Sequence, residues 1–279
     1  MNFNRLHEAE LAQLTGCRYP VIVLLESLLN KALRREGAGR PIKYSVRTML
    51  MVTLMKLRGE LAYRTLAVFL KISYTTLQRY THRVCEVLAS LSLSQYIKSQ
   101  ACQYLIVDGT CSRVRSTDIK NYSGHKHHKN CKVQMIINDQ RQIIAVSKSY
   151  EGGVHDKTIW NKEYDSLKDL FTQIILADKG YAGTKGEYEK LFRPIKRNEI
   201  EYKANKEATK SYNRELSKKR VLVENCFAHV KDFKILRNLF PLQAKRYGTV
   251  FKAVALIYNL NLDEKLRQQQ KVKATPMTA

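Results

Sequence analysis

Two short apolar runs, each followed by an aspartate, constrain the fold of this chain more than any other feature. Residues 103–110 contain Asp108 directly after such a run, and residues 173–178 end in Asp178. Short apolar runs bounded by polar residues and glycine are typical of buried strands. We therefore predict two strands whose last residues, Asp108 and Asp178, emerge at an edge of the same sheet.

The segment between the two runs predicts the rest of the sheet. Residues 131–138 and 142–149 read as strands joined by a short polar turn, which indicates an antiparallel hairpin. A helix predicted over residues 157–170, with Asp156 as its N-cap residue, separates this hairpin from the strand at residues 173–178. Since a helix intervenes, that strand is predicted to run parallel to its sheet neighbour.

A third acid lies on a predicted helix near the end of the chain. Arg220, Glu224 and Lys231 are separated by four and then seven residues, so they share one helical face. A solvated ladder of salt bridges would give the same pattern. Three carboxylates delivered by two strands and a helix instead suggest a site for Mg²⁺ or Mn²⁺, which prefer hard oxygen ligands. Two such ions about 3.5–4 Å apart can activate a water and stabilise the leaving oxygen of a phosphodiester.

The charge of the chain points to a polyanionic partner. Among 279 residues, 49 Lys and Arg stand against 25 Asp and Glu, which gives a formal net charge of +24. An excess of this size favours nucleic acid as the partner. No apolar run approaches the roughly 18 residues of a membrane span. We expect a cytoplasmic protein with no membrane partner.

Residues 1–95 read as helical and contain a candidate DNA-reading element. Two helical patterns, residues 63–70 and 74–88, are joined by a turn of three residues. The second exposes Gln78, Arg79 and Arg83, side chains that can read base edges in a major groove. This arrangement predicts a helix-turn-helix, with a plain helical bundle that has a solvated face as the alternative.

Four motifs together resemble the DDE transposases of bacterial insertion sequences. They are residues 105–110, residues 153–156, residues 177–181 and the pattern Arg220-x3-Glu224-x6-Lys231. The closest group is insertion-sequence family five, whose eukaryotic relatives include the Harbinger transposases. The resemblance covers nearly the whole chain.

The resemblance implies an α/β fold: a ribonuclease H-like catalytic core, with a mixed sheet flanked by helices, preceded by an all-α helix-turn-helix domain. It implies domains at residues 1–95 and 100–265, followed by a polar tail at 266–279 that we expect to be disordered. Asp108, Asp178 and Glu224 would form the metal-binding catalytic triad, holding two Mg²⁺ or Mn²⁺ ions.

The resemblance also assigns supporting roles. Arg220 and Lys231 would contact DNA phosphate beside the metals, and the pair His155-Asp156 resembles a family motif with an accessory role. Related enzymes carry a tyrosine where this chain has Ser217, so a role of that tyrosine in placing DNA is not carried over.

The implied activity is cleavage of DNA at element ends and transfer of the resulting 3′-hydroxyl to target DNA. The partners would be terminal inverted repeats, target DNA and further copies of the chain. Two alternatives stay open: a transposase-derived DNA-binding protein without catalysis, and a metal-dependent nuclease without strand transfer.

Overall fold

The computed structural model describes residues 3, 6–33, 43–59, 61–91, 93, 102–168 and 172–274. By its internal contacts the chain divides into two compact units. The first unit contains residues 1–91, 230–241 and 249–279, and the second contains residues 92–229 and 242–248. The predicted boundary between residues 95 and 100 lies outside the described residues, so the domain limits given above stay predictions.

The helices of the first unit follow from apolar periodicity. They are α1 (Glu8–Thr15), α2 (Tyr19–Leu33), α3 (Val46–Gly59), α4 (Tyr63–Leu70) and α5 (Tyr74–Ser90). Residues 49–57 of α3 are all buried, as expected for a helix that is apolar on most sides. This helix forms the centre of the unit and packs against α1, α2 and α5.

The helices α4 and α5 have the bounds of a helix-turn-helix. Lys71, with φ of 53°, ends α4 in the left-handed conformation, and Ser73 is the N-cap residue of α5. Leu77, Val84 and Leu88 of α5 are buried, as predicted. The predicted all-α region that precedes the sheet is therefore present.

The second unit is built on a mixed sheet. Its strands are β1 (Tyr104–Val114), β2 (Tyr122–Ser123), β3 (His128–Asn138), β4 (Ile143–Val146), β5 (Tyr150–Glu151), β6 (Ile174–Leu176) and β7 (Leu191–Phe192). The strand order is β2-β3-β1-β6-β7, and β4 and β5 also pair with β3. The pair β3 and β4 is antiparallel, whereas β6 runs parallel to β1. Both orientations agree with the sequence prediction.

The strand β1 is longer than predicted. We expected it to end at Asp108, but β3 pairs with it as far as Arg113 and Asn130. On the other side, pairing with β6 stops at Ile106 and Leu176. Asp108 therefore lies within β1, just beyond the point where pairing with its parallel neighbour β6 has ended.

Helices flank the sheet and complete the α/β fold, confirming the predicted class. They are α6 (Asp156–Leu167), α7 (Ile200–Ala204) and α8 (Lys206–Val230). The core of the second unit gathers side chains from β1, β3, β6 and α6, including Val107, Ile136, Trp160 and Ile175. This packing holds β1, which contains Asp108, and β6, which precedes Asp178, against each other.

Two predictions about the C-terminal helices were wrong. Lys231 was expected on the helix of Glu224, but α8 ends at Val230 and Lys231 lies in the following turn. The tail was expected to be disordered, but the last helix, α9 (Tyr247–Ala274), continues through its described part, residues 266–274. Strong helix formers and a hydrogen bond from Gln268 to Glu264, 2.9 Å long, account for the continuation. Residues 275–279 lie outside the described part.

One further strand, β8 (Leu239–Phe240), belongs to the first unit. None of the helices in the described part of the chain combines the length and the apolar character that a membrane crossing requires.

Candidate active site

The register of two parallel strands brings Asp108 and Asp178 to the same edge of the sheet. Ile106 of β1 is paired with Leu176 of β6, and each aspartate comes two residues later in its own segment. Asp178 then caps a short 3-10 turn by accepting a 2.6 Å hydrogen bond from the amide of Gly180. Burial is the main cause that raises the pKa of Asp108, and the negative charge of Asp178 raises it further.

Arg220 of α8 forms an ion pair with Asp108. Its Nη2 lies 3.2 Å from Oδ2 of Asp108, and the two side chains are only 16% and 22% exposed. The other carboxylate oxygen of Asp108 accepts a 2.7 Å hydrogen bond from the amide of Gly109. Both interactions favour the ionised form of this carboxyl.

Burial nevertheless dominates the protonation of Asp108. Loss of solvation raises its pKa from 3.8 to about 6, and the negative charges of Asp178 and Asp156 add to the increase. Arg220 and the Gly109 amide oppose it without cancelling it. Asp108 is therefore mostly ionised at neutral pH. Its ionised form is destabilised by burial, and a further positive charge nearby would stabilise it.

Asp156 is a third carboxylate at this edge. It is the first residue of α6, and His155 rather than Asp156 occupies the N-cap position, so the predicted cap role was wrong. One of its oxygens, Oδ1, lies 3.4 Å from Nζ of Lys132, in an ion pair without hydrogen-bond geometry. A Cβ added at Gly109 would lie 2.4 Å from the same oxygen. Asp156 thus packs directly over the backbone beside Asp108, where only glycine leaves room.

Glu224 lies on the exposed surface of α8, one helical turn after Arg220. Residues four apart on a helix have Cβ atoms about 5–6 Å apart. The place of Glu224 in the triad stays a prediction.

The donor set suits a hard divalent cation. Asp156 and Asp178 each repel the ionised form of Asp108, and oxygen Oδ1 of Asp156 is buried without a hydrogen bond. The guanidinium of Arg220 already partly neutralises this concentration of negative charge. In the part of the chain that the structure describes, no three His, Cys, Asp or Glu side chains form a preformed ligand cage. A cation would therefore have to draw the carboxylates together.

His155 and Ser217 are two further positions that the sequence analysis discussed. His155 is exposed and makes no side-chain capping bond. Ser217 is exposed on α8, two turns before Glu224. The accessory role of His155 remains a prediction, and no role is assigned to Ser217.

Sequence reasoning missed two residues of the site, Lys132 and Tyr181. Lys132 pairs with Asp156 and also donates a 3.0 Å hydrogen bond to the carbonyl of Val154. Tyr181 is fully buried, and this burial together with the negative charges of Asp156, Asp108 and Asp178 raises the pKa of its hydroxyl. The one available signal was the spacing of Tyr181, three residues after Asp178, because side chains three apart overlay in a 3-10 turn.

The candidate DNA-reading surface belongs to the first unit. On α5, Arg79 is exposed, whereas Gln78 and Arg83 are half-buried. The guanidinium carbon of Arg79 lies 5.8 Å from the centre of the Tyr80 ring. Arg79 and Arg83 are four residues apart and therefore share one face of the helix.

Comparison with known proteins gives a consistent answer for the catalytic region. The family described as DDE superfamily endonuclease matches residues 107–259, more than half of the chain. A protein of Microchaete diplosiphon named as a transposase for insertion sequence element IS702 is 24% identical over 239 residues, covering 82% of this chain and 85% of the relative. One of Streptomyces albus G, named as a transposase for element IS112, is 28% identical over 240 residues, covering 82% and 88%. No solved structure gives a significant match.

Proposed function

The chain belongs to the DDE superfamily of endonucleases, and we propose that it is the transposase of a bacterial insertion sequence. It cuts DNA at the ends of its element and transfers the 3′-hydroxyl to target DNA. The proposal is supported by two relatives named as transposases, each aligned with 82% of this chain. Membership of insertion-sequence family five is part of the proposal and rests on the four sequence motifs.

The observation that carries the proposal is the meeting of Asp108 and Asp178. Each lies two residues beyond the paired Ile106 and Leu176, so two distant segments deliver carboxylates to one sheet edge. The matching family spans both residues and Glu224. Asp178 caps a 3-10 turn and Asp108 pairs with Arg220, but neither contact accounts for placing two carboxylates that repel each other at one edge beside the buried core.

In the proposed mechanism Asp108, Asp178 and Glu224 would hold two Mg²⁺ or Mn²⁺ ions. Such ions supply an activated water and charge stabilisation at the leaving oxygen. Asp108 contributes as an anion above pH of about 6, where its raised pKa leaves it ionised. Before DNA binds, the ion pair with Arg220 holds the carboxylate of Asp108 in position. Arg220 and Lys231 then contact phosphate, and His155 and Asp156 assist the site.

Recognition and chemistry are assigned to different parts of the chain. In the first unit, Gln78, Arg79 and Arg83 on α5 read the terminal inverted repeats. The net charge of +24 supports additional contacts to phosphate along the DNA. We propose that copies of the chain assemble on the two ends of the element, and that the protein acts in the cytoplasm at the nucleoid.

The test is incubation of the purified full chain with Mg²⁺ or Mn²⁺ and a labelled duplex that carries the repeats flanking its gene. A transposase cuts at the repeat ends and joins the product to a second, unlabelled duplex. Cleavage without joining would support the nuclease alternative. Specific binding without cleavage in either metal would support the non-catalytic alternative and contradict the proposal.

A further inference from the structure

Tyr181 places a buried hydroxyl without a partner beside the acid site. The residue is 0% exposed and belongs to the core of the second unit. Its ring meets that of Trp160 edge to face, with centroids 6.3 Å apart and an interplanar angle of 75°. The hydroxyl oxygen makes no hydrogen bond. An unpaired buried hydroxyl is costly, and phenylalanine would fill the same space without it.

Three carboxylates act electrostatically on the hydroxyl of Tyr181. The charges of Asp156, Asp108 and Asp178 all act on Tyr181, with Asp156 the strongest of the three. Burial and these carboxylates raise the pKa of Tyr181 well above its ordinary value, so the phenol keeps its proton. Trp160, whose ring contacts Tyr181, lies one turn after Asp156 on α6, so the start of this helix packs against Tyr181. Oδ1 of Asp156, like the Tyr181 hydroxyl, is buried and makes no hydrogen bond.

Two contacts hold the carboxylate of Asp156, but neither of them is a hydrogen bond to its oxygen Oδ1. Lys132 attracts Oδ1 at 3.4 Å, and the carboxylate rests against the backbone of Gly109. Neither contact gives Oδ1 a hydrogen bond with good geometry. A hydrogen bond from the Tyr181 hydroxyl would fix the orientation of this carboxylate.

We propose that Tyr181 is a positioning residue of the acid site, whose hydroxyl donates a hydrogen bond to Asp156 and holds that carboxylate beside Asp108 and Asp178 when a divalent cation binds. The inference rests on the proposed metal-dependent function and extends it to two residues outside the triad. The hydroxyl is unpaired without the cation and paired with it, so the penalty of burying it is relieved by cation binding. A hydroxyl that merely fills the core would show no such coupling.

The test compares Tyr181→Phe with wild type by thermal unfolding of the full chain during titration with Mn²⁺ alone. Without metal, Tyr181→Phe should unfold at the same or a higher temperature, because it removes an unpaired buried hydroxyl. Its apparent Mn²⁺ affinity should be weaker by roughly 10–100-fold, the usual effect of losing a group that orients a metal ligand.

Tyr247→Phe is the matched control. Tyr247 is equally buried, but its hydroxyl is 3.1 Å from the hydroxyl of Ser112 and forms a hydrogen bond with it. This variant should lose stability without metal and keep the Mn²⁺ affinity of wild type. In the background of Asp156→Ala, which removes the acceptor, the further change Tyr181→Phe should have little effect on Mn²⁺ affinity, because the proposed partner is gone.

Two outcomes would overturn the inference. If Tyr181→Phe binds Mn²⁺ as wild type does, while Asp178→Asn does not, the metal site stands and the role of Tyr181 is refuted. If wild type itself shows no stabilisation by Mn²⁺, both the inference and the metal-dependent function are refuted.

Discussion

Replacing Asp108 by Asn should stabilise the metal-free protein at neutral pH, although it removes an ion pair. Burial raises the pKa of Asp108 from 3.8 to about 6, even with Arg220 3.2 Å away. Ionising this carboxyl therefore costs more free energy in the folded protein than in the unfolded chain. Since a shift of one pKa unit corresponds to about 1.4 kcal/mol, this shift lowers the free energy of unfolding above pH 6 by about 3 kcal/mol.

The sign of the pH dependence follows from the raised pKa. Below pH of about 4 the carboxyl is neutral in both states and the penalty is absent. Between pH 4 and 6 the unfolded chain releases its proton first, so wild-type stability falls as pH rises. Asn has no proton to release, but it leaves Arg220 without its partner. We therefore expect a gain of about 1–3 kcal/mol for Asp108→Asn above pH 6, with 3 as the ceiling.

The assay is chemical or thermal unfolding in the presence of a chelator, from pH 4 to pH 8. A gain of 1 kcal/mol should raise the melting temperature by about 2–4 °C for a chain of this size. Asp165→Asn is the control, because Asp165 is exposed and Lys185 lowers its pKa, so its loss should not stabilise the protein. An Asp108→Asn protein that is less stable than wild type at pH 7.5 would refute the argument that burial outweighs the ion pair.

Two further predictions concern recognition and the packing of the site. Replacing Arg79 and Arg83 by Ala should erase the preference for element ends over random duplex in a competition assay, while non-specific binding persists; an unchanged preference would place the reading helix elsewhere. Gly109→Ala should abolish metal-dependent cleavage, because its Cβ would lie 2.4 Å from Oδ1 of Asp156, whereas Gly124→Ala, which meets nothing within 4 Å, should cleave normally. Normal cleavage by Gly109→Ala would show that the position of Asp156 is unimportant.

Local patterns sufficed for much of the fold. The three-residue turn between α4 and α5 and the hairpin of β3 and β4 follow from apolar periodicity and polar turns. The parallel direction of β6 follows from the helix that precedes it. These features depend on short stretches of chain, and the sequence therefore predicted them.

The extent of β1 depends on distant residues and was missed. Beyond Asp108 the buried side chains include Thr110 and Ser112, so the apolar pattern stops although the strand continues. Antiparallel pairing with β3 maintains the strand as far as Arg113. Ser112 is buried because its hydroxyl has a partner in Tyr247, which no local pattern reveals.

The candidate site was predicted in part for the same reason. Asp108 and Asp178 follow apolar runs, and such runs are visible in sequence. The contacts of Asp156 with Gly109 and Lys132 arise from the packing of α6 on the sheet, which the sequence does not display. Tyr181 reads as a core aromatic, and only its surroundings distinguish its hydroxyl.

The most direct test of the proposed function is DNA cleavage by Glu224→Gln. Glutamine keeps the shape and helix propensity of Glu224, and the residue is exposed, so the fold should be preserved. Glu215→Gln, an exposed change on the same helix, is the control. With Mg²⁺ or Mn²⁺ and a duplex carrying the terminal repeats, wild type and Glu215→Gln should cut and join DNA. Glu224→Gln should bind the duplex and do neither, whereas cleavage at near wild-type rate would contradict the assignment of Glu224 and the mechanism built on it.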